Sequence, residues 1–289
     1  MDLETLKIFE AVAAELSVTR AAARLGRAPS NVTTRIQQLE AELGAELFIR
    51  LGKRITLSTA GQRFLTYAQR LLALEDEARQ AVGGSAGGSL RIGSMESTAA
   101  SRLPAPLAAF NRAHPAVRIE VSTGPTGPLV EQVRDGRLDG AFVALPAELE
   151  DAASLAEMGL QSAPVWEESL LLLLPPADAG ATAPAELRTR TLAAFKPGCT
   201  YRALAEDRLG IVAGSEWRVQ ELGSYHAMMA AVAAGSCVTL LPRSVLDVSR
   251  VADDLATLAM GSVTTHLLWR SGYETPAFQA FAGQFLGEA

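Results

Sequence analysis

The run Gly83-Gly84-Ser85-Ala86-Gly87-Gly88 constrains the fold more than any other stretch of this sequence. Glycine and serine at this density hold no fixed backbone, so one continuous core cannot extend across the run. The 289-residue chain is therefore expected to divide into a smaller part before it and a larger part after it. With 48% apolar and 20% charged residues, each part can build a core, and wholesale disorder is excluded.

The smaller part reads as helices followed by a short hairpin. Leu3, Leu6, Phe9, Val12 and Ala13 recur at helical spacing, with Asp2 as N-cap. Ser17 caps a second helix over 18–25, which Gly26 breaks. Pro29 or Ser30 opens a third, with Val32, Ile36, Leu39 and Leu43 on one face and Gly44 at its end. Residues 47–50 and 55–57 read as two short strands around the basic turn Gly52-Lys53-Arg54. Thr59 is expected to cap a long helix reaching about Val82. Residues 17–39 thus combine a slim first helix (Ala21, Ala22, Ala23), a glycine turn and a second helix with polar residues outward. A helix-turn-helix needs those three things, although an ordinary helical hairpin would show much of the same pattern.

Charge is unevenly placed. Residues 17–63 hold eight cations (Arg20, Arg24, Arg27, Arg35, Arg50, Lys53, Arg54, Arg63) and three anions (Glu40, Glu42, Glu46). That stretch is net +5 in a chain of net −6, so the remainder carries −11. A polyanion-binding end on an otherwise acidic protein fits this asymmetry. The start, Met1-Asp2-Leu3-Glu4, is acidic where a secretory signal would be basic, and the leucine run 170–174 is too short to span a bilayer. Two cysteines, Cys199 and Cys237, make no disulfide framework. A cytoplasmic, reducing location is expected.

The larger part alternates strands and helices. Strands are expected at 90–93, 117–122, 138–144, 169–174, 238–240 and 266–270, and helices at 99–110, 128–135, 200–209, 224–234 and the C-terminus. Such alternation implies α/β layers with mainly parallel sheets. Ligands in such folds sit at the carboxyl ends of strands, where loops meet helix starts.

Several stretches carry a family resemblance. They are Leu6-Lys7-Ile8-Phe9-Glu10-Ala11-Val12, Ser17-Val18-Thr19-Arg20-Ala21-Ala22-Ala23-Arg24-Leu25, residues 30–40, Leu47-Phe48-Ile49-Arg50 and Leu57-Ser58-Thr59-Ala60-Gly61. Further on come Ala233-Ala234-Gly235 leading to Leu241-Pro242, and Pro276-Ala277-Phe278. In order and spacing the chain resembles the LysR-type transcriptional regulators over essentially its whole length. It departs from them at Pro29, where glutamine is usual, and at Asn31, where alanine is common.

The resemblance implies a winged helix-turn-helix over residues 1–60, a dimerising linker helix over 61–82 and a hinge at 83–88. An α/β effector domain shaped like a type 2 periplasmic binding protein would follow over 89–289. Its subdomain I would be 89–162 plus 267–289, and subdomain II 163–266. Double-stranded DNA, a small-molecule effector and further copies of the chain (a homodimer, then a homotetramer) are the implied partners. The resemblance also allows RNA polymerase and implies neither a cofactor nor a membrane.

By position, Arg27, Ser30, Asn31, Thr33, Thr34, Arg35 and Gln38 would face DNA from the reading helix, and Arg50, Lys53 and Arg54 from the wing. Phe64, Leu65, Ala68, Leu71 and Leu72 would pair subunits. Ser97, Thr98, Thr123, Thr126, Cys199, Thr200, Tyr201, Ser224 and Tyr225 would line the effector cleft. Hydroxyls and free N–H groups at helix starts favour an anionic metabolite, although most such residues are plain N-caps.

Three rivals are weaker. Cys199 follows Gly198 at an expected helix start, which would lower its thiol pKa. The family includes a cysteine-based peroxide sensor, but no resolving cysteine follows nearby, Cys237 being distant in sequence, and a pocket-wall cysteine is the better reading. An enzyme is disfavoured because His114, His226 and His266 show no metal spacing and no nucleophile elbow or phosphate loop is present. A solute-binding protein would leave the N-terminal part without a purpose. For the main reading, Arg54→Ala should weaken binding to every duplex alike and reduce the slope of log affinity against log salt by about one phosphate contact. An unchanged slope in a salt titration would count against the wing lying on the backbone.

Overall fold

The structure, a computed structural model, describes residues 1–51, 54–83, 88–146, 149, 151–250 and 255–287. The chain forms two compact units, one holding the first four helices and the hairpin, the other all the strands and helices from the third strand onward.

In the first unit α1 (Leu3–Glu15) starts where the Asp2 carboxylate accepts the Thr5 N–H at 2.7 Å. The Ser17 hydroxyl caps α2 (Val18–Arg24) by accepting the Arg20 N–H at 3.3 Å. Gly26, at φ 63°, makes the turn that a side chain would strain. Pro29 then occupies the first turn of α3 (Pro29–Leu43), where its missing N–H costs nothing. Strands β1 (Phe48–Leu51) and β2 (Arg54–Leu57) pair antiparallel, with Phe48 opposite Leu57. The long helix α4 (Thr59–Gly83) follows. Its cap is Ser58 rather than Thr59: the Ser58 hydroxyl accepts the Gly61 N–H at 2.9 Å and donates to the Glu46 carbonyl at 2.6 Å.

Phe9 sits at the centre of this unit. Its ring meets Phe48 at 5.4 Å and Phe64 at 5.1 Å, among Ile8, Val12, Ala21, Val32, Ile36 and Leu39. Glu40 reaches from α3 to accept the N–H groups of Leu47 (2.8 Å) and Phe48 (3.1 Å), which ties the hairpin to the helix before it.

The second unit is one eight-stranded mixed sheet in the order β4-β3-β5-β10-β6-β9-β7-β8. Its first lobe contains β3 (Gly88–Ser94), α5 (Glu96–Ser101), α6 (Pro104–Ala113), β4 (Val117–Thr123), α7 (Thr126–Arg134) and β5 (Gly140–Ala144), with β3 parallel to both β4 and β5. After α8 (Ala152–Glu157), β6 (Leu160–Leu174) runs for fifteen residues into the second lobe. That lobe contains β7 (Thr191–Ala194), α9 (Thr200–Arg208), β8 (Arg218–Glu221), α10 (Tyr225–Ala233), β9 (Val238–Pro242) and α11 (Arg243–Asp247), with β7 parallel to β8 and β9. The equally long β10 (Ala256–Arg270) returns antiparallel to β6, and α12 (Pro276–Leu286) closes the first lobe.

Each lobe has its own apolar core. Leu90, Ile92, Phe110, Phe142, Phe278 and Phe281 pack in the first, and Leu172, Leu192, Met228, Val238 and Leu240 in the second.

Several expectations are corrected. The single helix at 99–110 is two: Leu103 keeps helical dihedrals, but Pro104 lacks the N–H that would continue α5 and instead occupies the first turn of α6. The strands at 169–174 and 266–270 are the ends of two much longer ones. The sheet is mixed rather than mainly parallel, and β7, β8, α8 and α11 were not anticipated. Pro164 disguised β6. Its strand tolerates the proline because the β6–β10 register shifts beside it, between Thr265 opposite Trp166 and His266 opposite Pro164.

Gly61 has a packing requirement of its own. A Cβ there would stand 2.0 Å from the Leu47 carbonyl oxygen. Gly61→Ala is therefore expected to cost about 1–3 kcal/mol through overpacking, read as a lower transition midpoint in chemical denaturation; an unchanged midpoint would show that α4 and β1 can part freely.

Candidate reading face and ligand cleft

In the first unit Val32, Ile36 and Leu39 bury one side of α3, and the opposite side presents Ser30, Asn31, Thr34, Arg35 and Gln38 to solvent. Thr33 is half-buried, and its hydroxyl donates to the Pro29 carbonyl at 3.0 Å. Arg27 pairs with Glu4 at 2.6 Å and Arg35 with Asp2 at 3.5 Å. Exposed pairs of this kind are weak and are readily exchanged for another anion. Arg50 and Arg54 are exposed on the hairpin, and Lys53 lies outside the described residues.

The expected subunit face of α4 divides in two. Phe64, Leu65, Ala68 and Leu72 pack on the core around Phe9, so they are occupied within the chain. Leu71 remains exposed, beside Tyr67, Leu74, Val82 and Leu3. The sequence pattern shows that α4 has a wide apolar surface. Which part of it the head uses is settled by packing.

In the second unit a cleft of about 310 Å³ opens between the lobes. Ser97, Thr123, Thr126, Cys199, Thr200, Tyr201 and Tyr225 of the expected set line it. Two do not: Thr98 is buried away from it, and Ser224 caps α10 by accepting the Ala227 N–H at 3.3 Å. Met95, Glu96, Phe195, Lys196, Glu221 and Leu222 also line it and escaped the sequence reading, which looked for hydroxyls at helix starts. Phe195 meets the Tyr225 ring edge-on at 5.0 Å. The walls are therefore largely apolar, as small-molecule sites usually are.

The cleft hydroxyls fall into two sets. Thr200 Oγ1 lies 2.8 Å from Thr126 Oγ1 and 2.9 Å from the Ala144 carbonyl oxygen, a clasp between the lobes. Ser97 Oγ and Tyr201 Oη, with Thr265 Oγ1 from β10, are buried and without a hydrogen-bond partner. Burial pushes the Tyr201 and Tyr225 phenols upward, so both stay neutral. The Ser97 and Thr265 hydroxyls lie close enough to Tyr201 to oppose that shift in part.

Burial likewise pushes the Cys199 thiol up, against backbone N–H groups of Arg202 and Tyr201 that pull it down. The lowered thiol pKa expected at this helix start is thus corrected, because loss of water outweighs the helix end.

Next to the cleft floor is an ion pair between the lobes. Arg102 donates from Nε (2.7 Å) and Nη2 (3.2 Å) to Glu168, which is 2% exposed. The Ser244 hydroxyl donates to the same carboxylate at 2.8 Å, and Ser101 Oγ lies 3.1 Å from Ser244 Oγ. Among the described residues, no cluster of His, Cys, Asp and Glu could hold a metal ion, and no helix is long and apolar enough to cross a membrane.

Comparison with known proteins matches residues 3–62 to a bacterial regulatory helix-turn-helix protein of the lysR family, and residues 83–289 to the LysR substrate binding domain. The chain belongs to the LysR family of transcriptional regulators. This LysR-family regulator is 38% identical over 250 residues to the HTH-type transcriptional regulator YusT of Bacillus subtilis (strain 168), covering 85% of this chain and 80% of that one. It is 36% identical over 248 residues to GltR of the same organism, covering 85% and 81%. A full-length OxyR variant from Pseudomonas aeruginosa has the same fold (TM-score 0.72, 20% identity, 100% and 99% covered), as does full-length CbnR complexed with its target DNA (TM-score 0.67, 24%, 99% of each). The LysR-family regulator thus joins a DNA-binding helix-turn-helix to an effector-binding α/β domain.

The Arg102–Glu168 pair yields a prediction. Arg102→Met would leave a buried carboxylate with only the Ser244 hydroxyl, at a cost of about 3 kcal/mol. Chemical denaturation of the variant beside the natural chain tests this; an unchanged transition midpoint would overturn it.

Proposed function

We propose that this LysR-family regulator binds duplex DNA through the exposed face of α3 and the β1–β2 wing, and that a small anionic metabolite in the cleft controls that binding. The observation that carries the reading is the presence, in one chain, of a polar, cationic helix-turn-helix face and a largely apolar interlobe cleft with few polar groups. Ser30, Asn31, Thr34, Arg35 and Gln38 would meet base edges and phosphates, and Arg27, Arg50, Lys53 and Arg54 the backbone. Thr33 already spends its hydroxyl proton on its own helix, so it is the weakest member of that set.

The anion preference rests on charge. Glu221 pairs with Arg202 at 2.9 Å, an arginine it shares with Glu206 at 2.8 Å, and Lys196 is a further cation lining the mouth, near the N-terminal N–H groups of α9. Glu96 sits opposite in sign and would exclude compounds with more than one negative group. Self-association fits the exposed α4 residues Tyr67, Leu71, Leu74 and Val82, since two-fold operators are read by dimers, with tetramers as pairs of these. The site of action would be the cytoplasm, where such a regulator can also meet RNA polymerase.

Thermal-shift measurement of the full chain against metabolite acids, amines and sugars tests the cleft. Acids should dominate the stabilising compounds, and Lys196→Glu should remove their effect. Stabilisation by amines that grows in Lys196→Glu would overturn the anion assignment.

A further inference from the structure

Among the described residues, five buried side-chain polar atoms have no hydrogen-bond partner, and three of them belong to residues grouped at one place. Ser97 Oγ comes from α5, Tyr201 Oη from α9 and Thr265 Oγ1 from the crossing strand β10. Ser97 and Tyr201, 2% and 3% exposed, both line the cleft. The Ser97 and Thr265 hydroxyls neighbour the Tyr201 phenol, yet none of the three atoms reaches hydrogen-bond geometry with another. Buried hydroxyls are almost always paired, so Ser97 and Tyr201 on the cavity wall leave room for an oxygen from outside the chain.

The charges around the floor decide what kind of oxygen that is. Glu168 lies close enough to raise the Tyr201 phenol further. The cation that would offset a second carboxylate there, Arg102, already makes two hydrogen bonds to Glu168. A carboxylate on the floor would be desolvated beside another carboxylate with no cation of its own. A carbonyl or hydroxyl oxygen carries no such cost and suits hydroxyl donors. Lys196, by contrast, is exposed at the mouth, where an ionic group keeps water. Met95, Phe195, Leu222 and Pro125 provide apolar wall between the two ends.

We propose that the effector is a small monocarboxylate with an apolar body and an uncharged oxygen, carbonyl or hydroxyl, at the end remote from its carboxylate. The oxygen is buried on Ser97 and Tyr201, and the carboxylate stays at the mouth beside Lys196. This rests on the reading of the cleft as an effector site and adds the orientation and class of the compound.

Four six-carbon probes separate the terms: hexanoate, ω-hydroxyhexanoate, the ketohexanoate with its ketone next to the terminal methyl, and the diacid adipate. Affinities for the full chain are measured by calorimetry, with thermal shift in support. At least one oxygenated monoacid should bind about threefold to tenfold more tightly than hexanoate for each hydroxyl it satisfies, and adipate should bind weakest. Tyr201→Phe should reduce that advantage. Because it removes an unpaired buried hydroxyl, it should not lower the melting temperature of the ligand-free protein, whereas a purely structural hydroxyl would. Adipate as the tightest ligand, oxygenated acids no better than hexanoate, or a preference unchanged in Tyr201→Phe would each overturn the proposal. So would silence from all four probes. The wider metabolite panel reports separately on the cleft: stabilising acids there, lost in Lys196→Glu, would keep the effector site standing while this ligand class fell.

Discussion

The antiparallel pairing of β6 with β10 is what the second unit depends on. Each strand is fifteen residues long, and each belongs to both lobes. One end of β10 pairs with β5 through residues such as Leu267 opposite Phe142, and one end of β6 pairs with β9 through Leu172 opposite Leu240. The chain therefore crosses between lobes twice at the same place, and any change in the angle between them must be absorbed by this ladder. The ladder is irregular at two points, near Pro164 and between Ala259 and Ser262, where Gly261 takes φ 84°. Bulges are where paired strands bend and twist most.

The same crossing places chemistry that neither lobe could assemble alone. Glu168 stands on β6 and Thr265 on β10, so a carboxylate and a hydroxyl lie where the lobes meet. Arg102 reaches that carboxylate from the first lobe and Ser244 from the second. A buried ion pair adds little net stability over an apolar substitute, but breaking it is costly, so it makes one arrangement of its partners far better than others. The cleft polar groups divide accordingly. Thr126, Thr200 and the Ala144 carbonyl are spent on holding the lobes together, whereas the Ser97 and Tyr201 hydroxyls have no hydrogen-bond partner.

The first unit solves a different problem, that of presenting a polar face on a small core. Phe9 gathers α1, the wing strand β1 and α4 around one aromatic cluster, and Glu40 locks the wing to α3 through two backbone N–H groups. With that rigid backing, the exposed side of α3 needs no apolar residue. Helix α4 serves both the core and the exterior: Phe64, Ala68 and Leu72 complete the core, and Tyr67, Leu71 and Leu74 face outward.

Much of this was legible in the residues because it depends on local rules. Asp2 and Ser17 as caps, Gly26 and Gly44 at helix ends, the 3.6-residue spacing of Val32, Ile36 and Leu39, and the cationic excess of residues 17–63 all follow from nearest-neighbour chemistry. They determined the helix-turn-helix, its polar side and the break between the two parts. Non-local partners decided the rest. Pro164 sits within a strand because β10 supplies an irregular register beside it, and Arg102 finds its counter-charge in Glu168, sixty-six positions away. Thr98, Thr126, Thr200 and Ser224 look alike in sequence to the free hydroxyls of Ser97 and Tyr201. A hydroxyl proton is available to a ligand only where folding has left it no other acceptor, and that is a property of the assembled lobes.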